Sequence, residues 1–290
     1  FFTFIEDDAT GLISGIFENL LGEGEITTLF GKLFTLLVTT IVEAEDGHKT
    51  LGKTYNNFAL NADHVVYKTC LREYLRNMPG LWALVPEVYF DEHPEYFSLV
   101  DGKRLRDKTQ LCLANEGTFL AARKTLRKWI EENPDCKVFS VAQNDWYNYC
   151  TCPECKKLDE KYGTPAASMI TFVNRLADDI KDDYPDVMLH TFAYQYTKKA
   201  PLGLRVADNV IVRLCNIECS WDTPMERQAV ERPDSPAAGF IENISQWGKL
   251  CKHLYIWDYA CDFWCYLMPF PNYRTMPQNL RTYQKNNIVG

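Results

Sequence analysis

The chain has 290 residues, 46% of them hydrophobic, with a formal net charge of −8 and a pI of about 5.3. That length fits one large domain, or one domain with a small extension, and the apolar content excludes general disorder. The acidic balance lacks the clustered Lys and Arg that a nucleic-acid surface needs, so no nucleic-acid partner is expected. Aromatic content is 13%, with 7 Trp and 16 Tyr. This suits stacking on sugar rings and equally suits an ordinary large core.

Residues 1–75 carry apolar helical patterns and an acidic patch from Glu43 to Asp46, with no chemical motif. The apolar run from Ile26 to Val42 is broken by Gly31, Lys32 and several threonines. It falls short of the ~20 clean apolar residues of a membrane span and reads as a buried helix or strand pair. The chain starts at Phe1 and stops at Gly290 as though cut, with Asn287-Ile288-Val289 reading as a strand just beginning.

From residue 81 the pattern becomes regular. Leu81 to Val85 is a short apolar run closed by Pro86. Residues 116–132 show helical periodicity, with Phe119, Leu120, Leu126, Trp129 and Ile130 as the apolar face, stopped by Asn133-Pro134. Lys137 to Ala142 reads as a buried strand and residues 166–184 as an amphipathic helix. Val187 to Tyr194 and Asn209 to Cys215 are further strands. Residues 240–251 read as a helix, His253 to Tyr259 as a strand, and 277–286 as a last helix. Short strands alternating with helices predict βαβ units and a parallel sheet. No glycine-rich phosphate loop comes after a strand, and every strand ends in polar or aromatic residues. Both features favour a closed (β/α)8 TIM-type barrel, incomplete at one or both ends, over an open nucleotide-binding sheet. The predicted division is an unassigned region 1–80 and a barrel over 81–290.

The strand ends carry the candidate chemistry. Asn144-Asp145 places an amide beside a carboxylate, which suits hydrolysis of an N-acetylated sugar. In that reaction the 2-acetamido oxygen attacks the anomeric carbon, one side chain steadies the amide, and an acid protonates the leaving oxygen. Asn144 fits the first role and Asp145 the second; an Asn-Asp turn is the plain alternative. Glu218, beside Cys219 and Trp221, is a second candidate acid or base, and Asp258 has the same status. Tyr194, Tyr196, Trp221 and Trp257 are candidates for a stacking platform, although each singly also fits core packing. There is no HExxH, paired His, GxSxG elbow or P-loop, so no catalytic metal, serine nucleophile or nucleotide cofactor is expected.

Among the 11 cysteines, Cys136, Cys215 and Cys251 stand in apolar runs as small buried hydrophobes. Cys150, Cys152 and Cys155 form a tight Cys-x-Cys-x-x-Cys segment. A structural Zn²⁺ needs four ligands, and Cys112 is the candidate fourth. A disulfide, or reduced thiols packing a loop, remains open.

Residues from Phe90 to Val289 resemble the bacterial family of domain of unknown function 4838, placed with glycoside hydrolase family 163. The resemblance is carried by His93 to Phe97, Asp101 to Arg104, Gln110 to Leu113, Ser140 to Trp146 (SVAQNDW) and Tyr149 to Lys156 (YCTCPECK). It continues through Phe172 to Arg175, Ala193 to Tyr196, Asp208 to Cys219 (DNVIVRLCNIEC), Ile256 to Tyr259 and Pro269 to Asn272. Residues 1–80 carry no matching motif. The resemblance implies a barrel related to the family 20 hexosaminidases, and retaining, substrate-assisted endo-β-N-acetylglucosaminidase action on complex N-glycans. It also implies an acidic or amide–acid pair at the end of the fourth strand, where Asn144-Asp145 stands, and a periplasmic or cell-surface location. Two other readings stay open: a non-catalytic carbohydrate-binding barrel, and an α-glucuronidase-like hydrolase with Arg213 as its uronate-binding cation.

Overall fold

The computed structural model describes residues 81–259, 270 and 272–290. The apolar run 26–42 and the rest of region 1–80 lie outside them. Residues 79–290 form one compact unit.

The described residues build a mixed α/β structure of seven α-helices around a four-stranded parallel sheet. The first helix, α1 (Leu81–Leu84), is a single turn, so the apolar run closed by Pro86 is helical. A small antiparallel hairpin comes next, β1 (Leu99–Val100) and β2 (Lys103–Arg104), turning at Asp101 and Gly102 with φ of 50° and 78°. Gly102 takes this left-handed geometry without steric cost.

Helix α2 (Glu116–Glu132) starts where the Asn115 side chain accepts from the Thr118 N–H at 3.0 Å, closing one of the helix's orphan donors. Its buried stripe is Thr118, Ala122, Leu126 and Ile130, an i, i+4 row. Leu120, expected on the apolar face, is 53% exposed: it stands off that row and points to solvent. β3 (Val138–Ser140) leads to α3 (Pro153–Tyr162), a helix not expected from the sequence. Pro153 begins α3, and Gly163 at φ 74° ends it, its N–H returning to the Asp159 carbonyl.

Helix α4 (Ala166–Ile180) is the most buried of the helices, and it stops four residues before the Tyr184 expected from its pattern. It packs on β4 (Met188–Ala193), β5 (Val210–Cys215) and α2. Asp179 of α4 is clasped by Arg127 at 2.7 Å and by Arg123, both from α2. Burial alone would raise the Asp179 carboxyl, but the two guanidinium groups win and hold it below its usual range. Helices α5 (Met225–Glu231) and α6 (Pro236–Leu250) precede β6 (His253–Trp257), and α7 (Met276–Lys285) closes the series.

The sheet order is β3-β4-β5-β6, all pairs parallel. Sequence neighbours are therefore spatial neighbours, and among the described residues no reversal of strand order creates the crevice of a doubly wound sheet. One register row runs Ser140, His190, Ile211, His253. Beyond β6 a parallel bridge joins Leu254 to Ile288, with Val289 N–H donating to Leu254 O and Ile256 N–H to Gly290 O, both at 2.9 Å. The strand expected to begin at Ile288 thus lies beside β6. Among the described residues the sheet has four parallel strands in a mixed α/β fold.

Candidate functional site

All four strands point the same way, so the segments leaving their carboxyl ends gather at one end of the sheet. β3 runs into Gln143-Asn144-Asp145, β4 into Tyr194 to Lys198, β5 into Asn216 to Glu218, and β6 into Asp258-Tyr259. The turn after β4 is the centre of this arrangement. Gln195 stands at φ 51°, a left-handed conformation that costs a non-glycine residue about 1 kcal/mol or more. Its amide Nε2 donates to Asp145 Oδ1 at 3.0 Å, while its buried Oε1 has no partner among the described residues. Two positions on, the Thr197 hydroxyl donates to Gln143 Oε1. Lys198 forms an ion pair with Glu218, and the Lys198 carbonyl accepts from the indole N–H of the fully buried Trp247 at 2.8 Å. This single turn therefore joins the ends of β3, β4 and β5 to α6.

Asp145 and Glu218, both exposed, lie at the same end of the sheet. Burial pushes the Tyr259 phenol above its ordinary range, and the neighbouring Cys215, Tyr194, Glu218 and Asp145 push it further. Burial and then Asp145 likewise raise Tyr194. These residues share one electrostatic neighbourhood.

Asn144 is placed differently. It is buried, and both ends of its amide are committed to backbone. Oδ1 accepts from the Trp82 N–H at 3.0 Å, and Nδ2 donates to the Thr109 carbonyl at 2.8 Å. Its own N–H donates to Gln110 Oε1 at 2.8 Å, and Gln110 Nε2 donates back to the Asn144 carbonyl at 2.7 Å. Asn144 is a tether that fixes where Asp145 begins. Asp258 is a second tie. Its Oδ1 accepts from Asn216 Nδ2 at 2.8 Å and its Oδ2 from the Tyr283 hydroxyl at 3.2 Å, linking β5, β6 and α7.

The four aromatic candidates divide into separate groups. Tyr194 stands near Asp145, and Trp221 lies against Tyr259 and Phe270, each at 5.6 Å between ring centroids. Tyr196 instead stacks on Tyr149 at 4.8 Å. Trp257 packs edge-on to Phe192 at 5.4 Å, with the Arg213 guanidinium 5.4 Å from its ring centre. Only Tyr194 and Trp221 thus join the neighbourhood of the two carboxylates.

The thiols also separate. Burial pushes Cys215, Cys219 and Cys251 each up to about 12, so they stay protonated at neutral pH. Cys136 is buried but also disulfide-bonded, and so is more than a small hydrophobe. Cys112, Cys150, Cys152 and Cys155 are free, buried and mutually close, with all four sulfurs within 4.8 Å of one another. Contacts with Cys112 and Cys155 hold the Cys150 thiol far down, and contacts with Cys112 and Cys150 push Cys155 up. Cys150 of this group follows directly on the loop that carries Asp145.

A family match covers residues 45–290, described as a domain of unknown function, DUF4838. The chain belongs to the DUF4838 family. The match reaches upstream of Phe90, so residues 45–80, which carry no recognisable motif, are part of the DUF4838 region as well. No curated protein matches the chain. Within the DUF4838 region, Gln195, Lys198 and Asn216 are site residues that sequence reasoning missed. Their one signal was position: each falls within five residues after a strand.

Proposed function

We propose that this DUF4838 protein is a glycoside hydrolase acting on N-acetylglucosamine-containing glycans. The reading is of the endo-β-N-acetylglucosaminidase type, retaining and substrate-assisted, on a barrel of which β3 to β6 form one arc. The observation that carries it is the hydrogen bond from Gln195, held in a left-handed turn, to Asp145, at the same strand-end face as Glu218. Active sites of parallel α/β enzymes are built at that face.

In this reading the 2-acetamido oxygen of the sugar attacks the anomeric carbon, and the glycosidic bond breaks as the leaving oxygen takes a proton from Asp145. Water then opens the oxazolinium ring, returning its proton to Asp145. Glu218, ion-paired with Lys198, lies on the acetamido side, and Asn144 positions Asp145 rather than touching the sugar. Tyr194 and Trp221 supply the faces on which sugar rings stack. The glycan is the partner proposed, in a periplasmic or cell-surface setting, and no helix among the described residues is long and apolar enough to cross a membrane.

The test is mass spectrometry of products after incubation with a complex biantennary N-glycan, for wild type, Asp145→Asn and Glu218→Gln. Wild type releases a fragment ending in N-acetylglucosamine, and Asp145→Asn is slower by about 10²–10⁴. On an aryl glycoside, whose leaving group needs no proton, the Asp145→Asn loss shrinks and the Glu218→Gln loss does not. Glycan binding without release, unchanged in Asp145→Asn, would overturn the hydrolase in favour of a carbohydrate-binding barrel. The aromatic cluster of Trp221, Tyr259 and Phe270 would also serve that second reading. Arg213, the cation a uronate-binding site would require, sits in β5 over the Tyr255 and Trp257 rings.

A further inference from the structure

The sulfurs of Cys112, Cys150, Cys152 and Cys155 form a group of four rather than a pair. Cys112 and Cys152 are 3.6 Å apart, and all four sulfurs lie within 4.8 Å of one another. A disulfide would draw two of them to about 2.0 Å. Sulfurs at the corners of a tetrahedron around a zinc ion, with Zn–S of about 2.3 Å, stand about 3.8 Å apart. The spacing is that of the second case.

The surroundings are those of a charged centre. Four thiolates around Zn²⁺ carry a net charge of 2−, which a buried site must offset with donors. Two donors are aimed at Cys150 Sγ: the Leu99 backbone N–H at 3.3 Å and Arg104 Nη1 at 3.8 Å. Arg104 is itself steadied by donating to the Phe97 carbonyl at 2.6 Å. A neutral apolar cluster of thiols has no need of a guanidinium beside it.

We propose that Cys112, Cys150, Cys152 and Cys155 bind one zinc ion as a closed, structural tetrathiolate site. Zn²⁺ displaces the thiol protons to solvent, and no oxidation state changes. With four protein ligands there is no open position for substrate or water, so the ion is a staple and takes no part in bond cleavage. It joins three pieces of chain: Cys112 just after the bridged pair Phe97 and Leu111, Cys150 at the end of the Asp145 loop, and Cys152 with Cys155 at the start of α3. The proposal is independent of the hydrolase reading, because a carbohydrate-binding barrel would need the same staple.

The test is elemental analysis of the purified full chain by inductively coupled plasma mass spectrometry, with iron, zinc, copper and nickel all counted. About one zinc per chain is expected. Titration of the folded wild type with an organomercurial should release that zinc as four thiols react, detected with a chromogenic chelator. This measurement needs no variant and so does not depend on a mutant folding. Cys112→Ser and Cys152→Ser should lose the zinc, and Cys219→Ser should keep it. Protein free of metal, iron in place of zinc, or peptide mapping that finds a disulfide among the four cysteines would each overturn the proposal.

Discussion

Replacing Asn144 by Ala separates a tether from a substrate ligand. The substitution removes the acceptor for the Trp82 N–H and the donor for the Thr109 carbonyl, leaving two backbone groups unpaired at a site where Asn144 is 8% exposed. Each unsatisfied buried group costs about 1–3 kcal/mol, so the loss should be roughly 2–6 kcal/mol. A domain's whole stability is about 5–15 kcal/mol, which makes this a large fraction. With a urea slope of about 2 kcal/mol/M, the unfolding midpoint should fall by about 1–3 M. The assay is equilibrium urea unfolding monitored by tryptophan fluorescence, with Asn144→Asp alongside, which keeps the acceptor and loses the donor. Asp should fall between Ala and wild type. A midpoint for Asn144→Ala equal to wild type, together with lost glycan cleavage, would refute the tether and return Asn144 to the substrate.

Burial lifts the Asp159 carboxyl up to about 6, against hydrogen bonds from Ser168 that favour the charged form. The folded chain therefore holds the proton more tightly than the unfolded one between about pH 4 and 6, and stability contributed by this group falls as pH rises through that window. Because Asp159 is partly exposed, the contribution is discounted to about 1–2 kcal/mol; Asp159→Asn should remove it, shown by comparing urea midpoints at pH 4.5 and 7.5 for both proteins. At Gly117 an added Cβ would meet the Tyr96 ring at 2.3 Å, and that ring is stacked on His93 at 4.5 Å. Gly117→Ala should lower the melting temperature despite a helix-propensity gain of about 1 kcal/mol, and in a Tyr96→Leu background the sign should reverse.

The sequence made some of this visible and hid the rest for physical reasons. β4 and β5 could be read because their side chains are buried on nearly every position, which leaves continuous apolar runs such as Val210 to Val212. Helix α3 was invisible because Cys155 is its one buried residue, and a charged helix with a single anchor has no periodicity to detect. Leu120 misled because size suggested burial, whereas the row that packs uses the smaller Thr118 and Ala122. Cys112 could be linked to Cys150, Cys152 and Cys155 because chemistry demanded a fourth ligand. The structure brings the four sulfurs together. The roles of Gln195, Lys198 and Asn216 could not be read, since a polar residue after a strand looks the same whether it holds a neighbour or faces water. The register of β3 to β6 decides which, and that register is a property of pairing between residues distant in the chain.

The loop from Asp145 to Tyr149 is fastened through its backbone and through Asn148, which accepts from the Gln110 N–H at 3.3 Å and donates to the Lys108 carbonyl at 2.9 Å, while the rings of Trp146 and Tyr147 stand outward. Gln110 grips Asn144 and the Trp146 carbonyl on one side, Thr151 bonds the Leu99 carbonyl at 2.8 Å on the other, and Trp146 and Tyr147 are 45% and 66% exposed between them. Such an arrangement divides labour for evolution. The anchors cannot drift without loosening the carboxylate, but the two exposed rings can be exchanged one at a time with little penalty to the fold. Libraries that vary positions 146 and 147 alone should therefore change which ligands are preferred while yielding mostly folded protein.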